Sequence, residues 1–154
     1  MDQNVSIDTL KDLYQLLGDG IKGYQEASSK AATPQLASFL STLASDRMGM
    51  KQELGTAIRQ LHPGADKLDD GTLKGDLHRA WLDIRQALTS SEDPVVLAEC
   101  ERGEEYLTKR YDTVMEDSKT PPEVMMLLRK QASQVTTTLS TITALRKTVE
   151  YATH

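Results

Sequence analysis

Lys30-Ala31-Ala32-Thr33-Pro34-Gln35-Leu36-Ala37-Ser38-Phe39-Leu40-Ser41-Thr42-Leu43 is the stretch on which the fold turns. Thr33 before Pro34 reads as a helix N-cap with proline at the first helical position, where a missing N–H costs nothing. Apolar residues resume at once at helical spacing, as Leu36, Phe39, Leu40 and Leu43. Upstream, another helical stripe runs through Leu10, Leu13, Leu17 and Tyr24 and reaches Ala31. No room is left for a loop, so the two helices are expected to fold back as an antiparallel hairpin.

Working outward, the same punctuation recurs. Asp93-Pro94 and Thr120-Pro121 repeat the cap-plus-proline start, and His62-Pro63-Gly64 is a stop. With Ser6 as the first cap, the core helices are expected at about 7–32, 34–61, 94–117 and 121–151. Asp70-Gly71 opens a shorter segment, about 72–89, with its own stripe of Leu73, Leu77, Trp81, Ile84 and Leu88. The tight turn at Ser118-Lys119-Thr120 makes the last two helices a second hairpin. Two hairpins joined by one long connection predict an all-α, antiparallel four-helix bundle of the ferritin-like kind, in one domain over 1–154. Its short helix lies in the crossover between core helices two and three. A five-helix up-down array is the alternative topology.

Composition narrows the function classes. The 154 residues carry 18 Lys+Arg against 23 Asp+Glu, a net charge of −5. Nucleic acid and anionic membranes both call for a basic footprint that this balance does not supply. No apolar run approaches the roughly 18 residues of a membrane span, and the N-terminal residues lack a signal-peptide pattern. A cytoplasmic protein is expected. Cys100 is the one cysteine, so no intramolecular disulfide can form, and on an inward face it reads as a small core residue.

The informative residues are polar ones on apolar stripes. Arg47 falls between Leu43 and Met50, Glu104 between Cys100 and Leu107, Gly20 one turn before Tyr24, and Gln131 at the edge of the last stripe. All fall near mid-height of their helices, so a buried layer of Gly20, Tyr24, Arg47, Glu104 and Gln131 is expected. A buried Arg needs a carboxylate, and Glu104 is the natural partner, with Asp46, Glu53 and Glu101 in reserve. Leu17-Gly18-Asp19-Gly20-Ile21-Lys22-Gly23 is costly inside a helix, at roughly 2–3 kcal/mol for its three glycines. Close backbone approach, a bulge or space for a bound group would each account for it.

A di-iron bundle site needs inward Glu residues on two helices and Glu-x-x-His on the other two. The histidines are His62, His78 and His154, and no Glu-x-x-His occurs. The last helix carries neither acid nor His between Glu123 and Glu150. No conventional di-iron site, no catalytic residue and no cofactor are therefore expected. Glu53, Glu101 and Glu104 are the weak candidates for any metal.

Three stretches, Asp19-Gly20-x-x-Gly23-Tyr24-x-x-Ala27, Leu77-His78-Arg79-x-Trp81 and Glu99-Cys100-Glu101-Arg102-Gly103-Glu104, stand together with Arg47 and Glu53. This combination resembles a ferritin-like four-helix-bundle family of unknown function from bacteria, over about residues 5–148. The resemblance implies the ferritin-like fold without an established activity. It also implies an acid and a His on the last helix, where this chain has Gln134 and Leu139. The expected function is non-catalytic: association with a protein partner or with itself, a homodimer at its simplest, or a stress-related accessory role. The outward apolar residues Met48, Leu82, Met125 and Met126 are the candidate contacts. The alternative is a degenerate ferritin-like site holding a metal ion or small ligand at mid-bundle.

Overall fold

Four helices carry the described part of the chain: α1 (Asp2–Lys30), α2 (Pro34–Leu61), α3 (Asp93–Met115) and α4 (Pro122–Ala152). The structure, a computed structural model, describes residues 2–63 and 93–152, with side chains over 7–63 and 93–148. There is no strand among the described residues, and none of their helices is long and apolar enough to cross a membrane. The crossover helix expected at about 72–89, with Trp81 and the Leu77-His78-Arg79-x-Trp81 motif, lies outside the described residues.

The start of α2 follows the sequence logic closely. Thr33 is extended, its hydroxyl oxygen accepts the Leu36 N–H at 3.3 Å, and Pro34 opens the helix. His62 ends it, with its N–H on the Ile58 carbonyl at 2.9 Å. The other starts differ. Ser6 lies inside α1, which is already helical from Asp2. At the last helix Pro122, not Pro121, takes the first helical position, because Pro121 supplies the carbonyl that accepts Met125 N–H at 2.9 Å. The Thr120 hydroxyl caps nothing; it is buried without a hydrogen-bond partner. Asp93, the expected cap of α3, instead reaches across to the α1–α2 turn. Its carboxylate accepts the Ala32 N–H at 2.9 Å and the Thr33 hydroxyl at 3.0 Å.

Side-chain contacts give the register. Between α1 and α2, a Cβ on Gly55 would meet the Tyr14 ring, Gly18 faces Lys51, and Ser28 donates to the Ala37 carbonyl at 2.6 Å. Between α3 and α4, Tyr111 meets Gln131 and Glu101 meets Thr143 and Arg146. In both pairs the numbers fall on one helix as they rise on the other. Asp93 places the start of α3 beside the start of α2, whereas residue 63 lies at the far end of α2, about 42 Å away for 28 residues at ~1.5 Å each. Residues 63 and 93 therefore lie at opposite ends of α2.

The stripes read from the sequence form one apolar core. Leu10, Leu13 and Leu17 of α1, Leu40, Leu54 and Ile58 of α2, Val96 and Tyr111 of α3, and Leu128 and Ile142 of α4 are essentially sealed from solvent. Each such side chain contributes roughly 1.5–3 kcal/mol by leaving water. That sum holds the polar layer described next.

Candidate functional site

Halfway along the helices the core turns polar. Arg47 and Glu104 are 3% and 2% exposed, and they form a two-pronged ion pair. Arg47 Nη1 donates to Glu104 Oε2 at 2.9 Å, and Nη2 donates to Oε1. The Tyr24 hydroxyl donates to the same Oε2 at 2.8 Å. Three helices thus meet at one carboxylate, with Tyr24 on α1, Arg47 on α2 and Glu104 on α3. Parallel guanidinium–carboxylate hydrogen bonds are the geometry in which a buried pair recovers most of its desolvation cost.

The fourth helix joins through Gln131, which is fully buried. Its side-chain oxygen accepts the Tyr111 hydroxyl at 2.8 Å, and its amide nitrogen donates to the Met50 carbonyl at 2.9 Å. A longer contact of 3.5 Å runs from the same nitrogen to Glu53 Oε1. Both polar ends of this buried amide are satisfied, as burial demands. Gly20, the remaining member of the expected layer, is half-buried in α1, one turn from Tyr24. A Cβ added there would meet nothing within 4 Å.

Electrostatics follow from the packing. Burial pushes the Tyr24 phenol well above its ordinary range, and the Glu104 charge adds to that. Burial also raises Tyr111. Burial works against the Arg47 charge, yet the facing Glu104 outweighs it and holds the guanidinium protonated. The Cys100 thiol, buried beside the pair, is pushed up by burial and then by the charges of Glu104 and Glu99. A thiol held protonated is a poor nucleophile and a poor metal ligand.

The three weak metal candidates are all engaged by cations of their own chain. Glu104 holds Arg47. Glu101 accepts from Arg146 Nε at 2.8 Å and from the Thr143 hydroxyl at 2.5 Å. Glu53, at the surface, accepts from Lys130 at 2.9 Å. Among the described residues no three His, Cys, Asp or Glu side chains are grouped so as to hold a metal ion.

The apolar stripes alone give no sign of the Tyr111–Gln131 bond, the Asp93 clasp on the α1–α2 turn, or the Glu101–Arg146 pair. A signal existed for the first. Tyr111 sits squarely on its stripe, and a buried phenol needs a partner. Gln131 was the one amide on the facing helix at that height.

Such a layer, spanning all four described helices, defines among the described residues a helical bundle with polar groups inside an apolar core. The chain belongs to the family described as a domain of unknown function (DUF2383), whose model matches residues 5–117. The match takes in α1, α2 and α3, with Tyr24, Arg47 and Glu104, and stops before α4 and Gln131. No curated protein matches the chain.

Proposed function

We propose that this is a non-catalytic, antiparallel bundle of the ferritin-like kind, one domain over residues 1–154, which acts by associating with a second copy of itself. Two facts support the topology: the falling register within each helix pair, and the placing of residues 63 and 93 at opposite ends of α2. The inside of the bundle supports a structural role for the polar layer, since its charged groups bond one another.

The observation that carries association lies outside. From Ala132 to Ala144 α4 has no charged residue. Its exposed face there consists of Ser133, Gln134, Thr136, Thr137, Ser140, Thr141 and Ala144. Threonine hydroxyls on this face turn back onto their own helix, Thr136 to the Ala132 carbonyl at 3.0 Å and Thr141 to the Thr137 carbonyl at 3.1 Å. A face without charges, with two of its threonine hydroxyls already donating to their own helix, gives up no ion solvation on being covered, and depletion of charge marks the centre of protein interfaces. Nearer the start of the helix Met126 is 71% exposed. Met48 on α2 and Val95 on α3 are also exposed, at 39% and 38%.

Sedimentation velocity over a wide concentration range tests this reading. A concentration-dependent shift from 17.1 kDa to twice that mass is expected, and it should disappear in Thr137→Lys/Thr141→Lys with the helical signal unchanged. A wild-type protein that stays monomeric throughout would overturn it.

A further inference from the structure

Beside the Arg47–Glu104 pair, between α1 and α3, lies a cavity of ≈ 30 Å³. Leu16, Leu17 and Leu107 give it an apolar wall, and Gly20, Cys100 and Gly103 line it. Three observations converge on it. Alanine at position 20 would favour the helix, yet the chain keeps glycine where a Cβ would meet nothing within 4 Å. Neither bulge nor close approach explains it, since α1 is helical throughout. Gly49 is open in the same sense, but it is exposed.

The second observation is Glu99. Glu99 lines the cavity, and its Oε2 is buried and accepts no hydrogen bond. Arg102 Nη1 lies 3.2 Å away, close enough to balance the charge but off the hydrogen-bonding direction. A buried acceptor without a donor is destabilising. The third is size and charge. The volume exceeds the ~10–15 Å³ that one water needs and falls far below the ~300 Å³ of a metabolite pocket. Arg47 balances Glu104 and Arg102 balances Glu99, so a charged guest would enter an apolar space uncompensated.

We propose that this cavity is a binding site for one small neutral hydrogen-bond donor, water or a molecule no larger than methanol, seated on Glu99 Oε2. The site is independent of the association face on α4. Gly20 provides the opening, Glu99 the acceptor, and the leucines exclude larger or charged guests.

Water-to-amide NOE and ROE spectra of the ¹⁵N-labelled full chain test it, with methanol as the second probe. Long-lived water signals are expected at the Gly20, Cys100 and Gly103 amides, and added methanol should give methyl NOEs to the same amides. Glu99→Leu should lose both sets, Glu99→Gln should retain them through its remaining acceptor oxygen, and Gly20→Ala should lose the methanol set. Water signals without methanol signals would support the site with water as its guest. Absence of both in the wild type, or persistence of both in Glu99→Leu, would overturn the proposal.

Discussion

At the scale of single residues, Glu104 is the hub. It takes three hydrogen bonds, from Arg47 twice and from Tyr24, in a place nearly closed to water. Removing either partner of the ion pair strands the other charge, so Arg47→Met or Glu104→Gln alone should each cost roughly 3–5 kcal/mol. The double variant should recover much of that loss, giving strong coupling in a urea-denaturation double-mutant cycle. Tyr24→Phe removes one donor to a charged acceptor and leaves the pair in place. It should lower stability by roughly 1.5–3 kcal/mol, again read from urea unfolding. That Arg47 faces inward was legible, since it stands between Leu43 and Met50 on one stripe. Its engagement of both carboxylate oxygens and the third bond from Tyr24 were not, because they depend on the distances among three helices.

At the scale of elements, glycine separates local preference from packing. Gly49 and Gly55 both lie inside α2, where alanine is intrinsically better by about 1 kcal/mol. At Gly49 a Cβ meets nothing within 4 Å, whereas at Gly55 it would lie 3.0 Å from the Tyr14 ring. Gly49→Ala should therefore raise the thermal midpoint. Gly55→Ala should gain less or lose, because Tyr14 is held between α1 and α2 and also carries Lys51 above its ring at 4.8 Å. Helix ends show the same division. The α2 start was legible from Thr33-Pro34, since the N-cap bond closes within four residues. The α4 start slipped by one residue because two successive prolines can each open a helix. Asp93 gave up its expected cap for the α1–α2 turn, a contact 60 residues away in sequence.

At the scale of the molecule, α4 is tied to its neighbours by carboxylates that titrate. The Thr143 hydroxyl and then Arg146 hold Glu101 below its ordinary pKa of 4.5, and Lys130 does the same for Glu53. A folded-state value below the unfolded one stabilises the protein above about pH 4.5, and the benefit is lost as pH falls through the folded value. Stability should thus decline below pH 4.5, with Glu101 contributing more than the exposed Glu53, which solvent screens. Urea midpoints measured from pH 7 to pH 3 should fall less steeply for Glu101→Gln than for the wild type.

The helical nature of the described residues and the inward face of each helix rest on period, caps and residue types. These are local properties, complete within one or two turns, and the sequence by itself determined them. The inward stripes already pointed Arg47 at Glu104, but the tertiary structure decided which other polar groups meet. Tyr24 with Glu104, Gln131 with Tyr111 and the Met50 carbonyl, and Asp93 with the α1–α2 turn join residues distant in the chain. The physical reason is one of range. A helix is closed by bonds four residues apart, while a buried hydrogen bond between helices exists only once packing sets their separation to within a few tenths of an ångström.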